Sequence, residues 1–180
     1  MNTRNDIIAG LCFVIPLAEI RSTPSVQFHN IPGIVEGLSA VDRVEHQAGA
    51  QSPSIAEDDC ARPWYMHPNQ EDNLIVFEGK RVVDLYNIAH AKVETFEVYK
   101  NKLLHNGEII HEGAHIFGWP TDVFHRVQSP DGSLSMNFAR HFDGFDIKSN
   151  FNIYDLDEAS GEYRVLRAGH LDQPKVEIGE

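Results

Sequence analysis

Two cysteines, Cys12 and Cys60, supply all the thiol chemistry of this 180-residue chain. They are too few for a disulfide framework and form no C-x-x-C pair, so a zinc ribbon and a thioredoxin-type redox centre are excluded; both read as reduced thiols. Positive charge is also scarce. Against 27 Asp and Glu stand 15 Lys and Arg, a formal net charge of −12, and the basic residues form no run. Such a chain repels phosphate backbones and anionic lipid, so neither nucleic-acid binding nor membrane docking is expected. Long apolar runs are missing as well. The most apolar stretch, Ile7 to Ala18, falls short of the ~20 residues a membrane helix needs. Asp6 abuts it, Arg4 alone precedes it and no small-x-small cleavage site follows, so it reads as a buried strand and not a secretory leader. No N-x-S/T acceptor occurs, which fits a cytoplasmic protein.

Sustained helical periodicity is absent too; AHAKVETFEV could hold one helical turn at most. What remains is a normal apolar fraction, 42%, arranged in short β-rich runs broken by turn residues at intervals of roughly 8–12 residues. The expected strands include Ile7–Ile15, Ser25–Ile31, Val41–His46, Arg62–His67, Leu74–Glu78, Arg81–Tyr86, Val93–Tyr99, Lys102–His105, Glu108–His111, Val123–Gln128, Ser133–Ala139, Asn150–Leu156 and Glu162–Leu166. Asn106-Gly107 is a two-residue hairpin signal, because both residues tolerate positive φ; Gly79 and Pro130-Asp131-Gly132 read as turns of the same kind. Gln47 to Asp59 is small and polar and reads as a loop. A hairpin turning at Ala159-Ser160-Gly161 and a surface tail over LDQPKVEIGE close the chain.

Chemistry concentrates in RPWYMHPNQEDNLIVFEGKRVVDLY, Arg62 to Tyr86, and in GAHIFGWPTDVFHRV, Gly113 to Val127. In the first, six residues separate Asp72 from Gly79 and four separate His67 from Asp72; in the second, Pro120-x-Asp122-x2-His125 leads into a strand. These spacings resemble the two motifs of the cupin superfamily, the RmlC-like jelly rolls. His67 takes the second-histidine slot of the first motif, Asp72 its glutamate slot and Tyr65 the slot of the missing first histidine. In the second motif Asp122 stands where the family has glycine, Ser129 where it has asparagine, and Gly113 lies one residue too far upstream.

The resemblance implies an all-β double-stranded β-helix, a jelly-roll barrel of cupin type. It divides the chain into an N-terminal strand extension (1–50), a core carrying the motifs (60–143) and a C-terminal hairpin and tail (144–180), all in a single domain. It implies a divalent metal ion, Fe, Mn, Ni or Zn, on His67, Asp72 and His125. Two imidazoles and one carboxylate make a facial triad with open coordination positions. Glu71 rivals Asp72, since strand alternation sends the two to opposite faces; the spacing to Gly79 selects Asp72. Tyr65 shares the inward face with His67 and is the candidate acid or base, and Trp64, Asn69, Trp119 and Phe124 are candidate pocket walls. His111 and His115 have i, i+4 spacing without a helix around them. Arg126, next to His125, is expected to point away from the site, and Arg62 to solvate a strand. The function expected is a metal-dependent enzyme on a small organic substrate, a dioxygenase or metal-assisted isomerase or lyase, working as a homodimer. The alternatives are a non-catalytic small-ligand binder and a metal-free epimerase with a histidine base and a tyrosine acid.

Overall fold

The computed structural model describes residues 3–31, 37–54 and 60–172. In chain order its strands are β1 Asn5–Ile8, β2 Cys12–Pro16, β3 Ala18–Thr23, β4 Val26–Asn30, β5 Ala40–His46, β6 Ala50–Ser52, β7 Trp64–Met66, β8 Gln70–Tyr86, β9 Glu94–Tyr99, β10 Lys102–His105, β11 Glu108–Glu112, β12 His115–Trp119, β13 Phe124–Ser129, β14 Ser133–His141, β15 Ile153–Leu156 and β16 Tyr163–Arg167. Among the described residues the one α-helical segment is a single turn, α1 Ile147–Asn150, capped by Asp146, which accepts from the Lys148 N–H. The nearly all-β expectation and the jelly-roll barrel are borne out.

Strand β8 organises the molecule. Its first half pairs with β12 on one side and β14 on the other, and β2, β1 and β5 extend that sheet. Its second half pairs with β9 and β13, extended by β10 and β11 at one edge and by β6, β7, β15 and β16 at the other. The two sheets face each other over an apolar core that draws Leu74 and Val76 from the first and Val83, Phe96 and Leu103 from the second. Burying these side chains supplies the main favourable contribution to folding.

Several local expectations are corrected here. Gly79 is not a hairpin turn: β8 runs straight through it, and it adopts φ +69° where the strand passes from one sheet to the other. A Cβ at this position would collide with the Gly132 carbonyl, so the close crossing requires glycine. Just before it, the pairing with β14 skips a residue: Leu134 sits opposite Glu78 and Ser135 opposite Val76, which leaves Phe77 as a bulge. Ile7–Ile15 is likewise two strands, because Gly10 at φ +74° turns the chain between β1 and β2. Strand β12 arises from His115–Trp119, where no strand was expected; Gly118, its penultimate residue, leaves the space that the Phe13 ring fills. The loop expected over 47–59 contributes the short strand β6 to β13, and its residues 55–59 lie outside the described residues. So does most of the expected tail, 173–180. The expected extension adds β1 and β2 to the first sheet, and β3 and β4 form a separate two-stranded hairpin.

Candidate functional site

One cavity of about 290 Å³ opens between the two sheets, and six strands place polar groups on it, β6 through Ser52. Tyr65 comes from β7, Gln70 and Asp72 from the start of β8, His125 from β13, Asn137 from β14 and Asp42 from β5; His67 stands just before β8. The sequence-predicted trio meets here. Nε2 of His67 lies 3.6 Å and Nε2 of His125 4.0 Å from Oδ2 of Asp72, and all three residues are buried. The imidazole rings are 4.7 Å apart, with the Tyr65 ring 6.3 Å from one and 5.9 Å from the other.

Backbone carbonyls fix both tautomers. A carbonyl only accepts, so Nδ1 of His67 donates to the Asn150 carbonyl and Nδ1 of His125 donates to that of Val123 at 3.1 Å. Each ring therefore presents an Nε2 lone pair to the cavity. The Asp72 carboxylate is held just as firmly: its Oδ1 accepts from Gln70 Nε2 and from Asn137 Nδ2, each at 2.7 Å. Gln70 Oε1 in turn accepts from Asn150 Nδ2 at 2.9 Å. His67, Asn150, Gln70 and Asp72 thus close a ring of contacts in which no member turns without breaking another.

Strand alternation settles the remaining candidates. Glu71 points to the far face of β8 and pairs with Arg4 at 2.8 Å and Arg140 at 3.2 Å, leaving Asp72 on the cavity. Trp119 lines the cavity, 5.2 Å from the His125 ring. Trp64 and Phe124 do not. Each precedes an inward residue, Tyr65 or His125, and so faces outward into a second apolar cluster with Met66, Tyr86 and Tyr154. Asn69 is a turn residue whose Nδ2 donates to the Gly144 carbonyl at 3.1 Å. Arg126 points away as expected, stacking on Trp64 and bonding Asp84 at 2.9 Å, while Arg62 donates to Gln128. His111 and His115 stand with rings 5.2 Å apart and do not line the cavity.

Sequence reasoning missed the other end of the cavity. Arg81, 6% exposed, lines it, and its Nε donates to Ser133 Oγ at 3.3 Å. Ser133 Oγ lies 2.9 Å from Ser129 Oγ, which lies 3.0 Å from His46 Nδ1. Burial brings the Arg81 pKa down to about 10, which leaves it charged at neutral pH. The signal available in the sequence was a lone arginine in an otherwise apolar inward face, RVVDLY, a pattern more often met on a solvated strand.

The environment also sets protonation. Burial, helped by the charge of Arg81, lowers the His46 pKa from 6.5 to about 4. Burial, and next the neighbouring His67, lower that of His125, against a raising influence from Asp72. Burial raises the Tyr65 pKa and keeps its phenol protonated. Burial and then Asp72 raise that of Asp42, against a lowering hydrogen bond from Asn137. An imidazole whose folded pKa lies below its unfolded value costs nothing above pH ~6.5; between there and pH ~4 the unfolded chain binds more protons, so stability erodes as pH falls. Urea unfolding is thus expected to show a lower midpoint at pH ~4.5 than at pH ~7, and a midpoint constant across that window contradicts buried neutral imidazoles.

No protein-family model and no curated protein sequence matches the chain. Solved structures do. A dTDP-4-dehydrorhamnose 3,5-epimerase from Sulfolobus tokodaii superposes with TM-score 0.54 at 12% identity, over 80% of this chain and 77% of its own. A 4-keto-6-deoxy sugar epimerase from Streptomyces spheroides gives TM-score 0.56 at 10% identity, over 81% and 70%. A sugar 3,4-ketoisomerase from Thermoanaerobacterium thermosaccharolyticum, solved in complex with TDP, gives 0.53 at 11% identity, over 78% and 85%. The chain has the RmlC-like cupin fold. These neighbours overturn the expected dioxygenase or other metal-dependent reading: they are named as sugar epimerases and ketoisomerases. The donor set itself would accommodate a divalent cation, since its ligand atoms all lie within 4.8 Å of one another. His67, Asp72 and His125 would hold such an ion, which would act there as a Lewis acid. Among the described residues no helix is long and apolar enough to cross a membrane.

Proposed function

We propose that this RmlC-like cupin is a metal-free epimerase or ketoisomerase that moves a proton at the carbon next to the carbonyl of a keto-sugar. The observation that carries this reading is the pairing of two kinds of proton-transfer group on one cavity: Nε2 of His67 beside Asp72, and the protonated Tyr65 phenol next to it, the two rings 6.3 Å apart. In the forward step Nε2 of His67 takes the proton, and the electron pair moves through the carbon–carbon bond onto the carbonyl oxygen. The imidazolium so formed is stabilised by Asp72, 3.6 Å away. As the carbonyl reforms, the Tyr65 phenol returns a proton to that carbon, epimerisation following where the intermediate turns its other face to the phenol, and solvent restores both groups. The neutral His125 offers an acceptor to a sugar hydroxyl. A cavity of about 290 Å³ lies at the small end for ligand sites and admits a sugar ring, while a nucleotide attached to it would stay at the mouth. The homodimer and the cytoplasmic location belong to the same proposal, and light scattering of the purified chain tests the dimer.

The functional test is proton exchange. Incubated in D₂O with TDP-4-keto-6-deoxyglucose, the sugar bound in a mutant of the same Thermoanaerobacterium ketoisomerase, the protein is expected to replace a carbon-bound hydrogen next to the keto group by deuterium. Proton NMR would follow this, with no loss of rate in EDTA. Failure of exchange by folded protein, or its abolition by EDTA, overturns the reading; tight binding without exchange favours a non-catalytic binder.

A further inference from the structure

Arg81 is unusual among the charged groups of this protein. Lys and Arg are rarely buried without a partner, yet Arg81 is 6% exposed, its Nη2 is buried with no hydrogen-bond partner, and no carboxylate of the described residues pairs with it. Its neighbours do not repair this. Ser133 accepts through its hydroxyl, and His46 carries no negative charge to offer. Among the described residues Arg81 is also the one arginine or lysine on the lining of the cavity. Its anchor, Ser133, lies four residues along β14 from Asn137, the donor to Asp72, which is about 13 Å of strand. A cation thus stands at one end of the cavity and the histidine–carboxylate cluster towards the other, on opposite sides of the space a sugar ring would fill.

We infer that Arg81 binds an oxyanion of the substrate, a carboxylate or a phosphate ester, at the end of the cavity remote from Asp72. A guanidinium fork with a free edge is complementary to the planar or tetrahedral oxygens of such a group. The buried charge then acquires in the complex the counter-ion it lacks in the free protein. The substrate is a sugar carrying negative charge at a fixed distance from the carbon that loses its proton. This deepens the proton-transfer reading by naming a feature of its substrate, but the test reads binding alone and stands or falls separately from turnover.

Isothermal titration at constant ionic strength compares D-glucuronate, glucose 6-phosphate and D-glucose. The expected result is that at least one of the charged sugars binds about tenfold or more tightly than glucose, and which of the two does so identifies the oxyanion. In Arg81→Met the preference disappears, and the ligand-free variant melts no lower than the wild type, because an uncompensated buried charge has been replaced by a side chain of similar length. Arg81→Lys keeps the charge without the fork and retains part of the preference. The inference is overturned if neither charged sugar binds better than glucose, if nothing binds, or if the preference survives in Arg81→Met. It is equally overturned if Arg81→Met melts lower with its ligand preference unchanged, which marks an arginine of purely structural use.

Discussion

His67→Asn is expected to slow deuterium exchange at the carbon next to the carbonyl by about 10²–10⁴-fold, the range associated with loss of a positioned general base. Asparagine suits the purpose because its side-chain amide can still donate towards the Asn150 carbonyl, the bond His67 Nδ1 makes now. It removes only the Nε2 lone pair beside Asp72. The loss should therefore appear in kcat, with substrate binding and the urea midpoint close to those of the wild type. A variant that exchanges at the wild-type rate transfers the role of base to His125 or to a bound water and removes His67 from the mechanism.

The largest effect on stability is expected in the apolar core that adjoins the cavity. Phe96 is fully buried in the core between the sheets, its ring 4.8 Å from that of Phe117 and stacked at 4.5 Å on that of His105. Phe96→Ala removes a large apolar surface and leaves a hole that strands paired on both sides, β8 and β10, cannot collapse to fill. The expected cost is about 3–5 kcal/mol, set against a typical total of about 5–15 kcal/mol, and a melting temperature lower by roughly 10 °C. Since Phe96 does not line the cavity, exchange per folded molecule at low temperature should hardly change. A loss below ~1 kcal/mol in denaturant unfolding would mean that the two sheets repack freely.

His67, Asp72 and His125 were legible in the sequence because a cupin motif fixes them by distance from a glycine and a proline, and the barrel closes over fifty residues of chain to make them neighbours. The groups that hold them were not. Asn137 and Asn150 reach Asp72, Gln70 and His67 only when distant segments of the chain come together, and Gln70, two residues before Asp72 on the same strand, carries no local mark of its role. Trp64 and Phe124 were misplaced for a different reason: their bulk suggested a pocket wall, but period-two alternation beside Tyr65 and His125 sends both to the other face. Gly79 misled because a glycine with positive φ serves equally in a hairpin and in a strand that must cross from sheet to sheet. The choice is made by what approaches it, here the Gly132 carbonyl.

The bulge at Phe77 has a consequence for which side chains share the interior. Up to Val76 the even-numbered residues of β8, among them Asp72 and Leu74, face inward; from Arg81 onward the odd-numbered ones do. The single unpaired residue changes the parity of the strand. Without it, an unbroken alternation would turn Lys80 and Val82 to the cavity and expel Arg81, Val83 and Leu85 from the core. One chain segment is thus both a ruler, setting by residue count how far Arg81 stands from Asp72, and a switch of phase that lets both ends of the ruler read the same substrate.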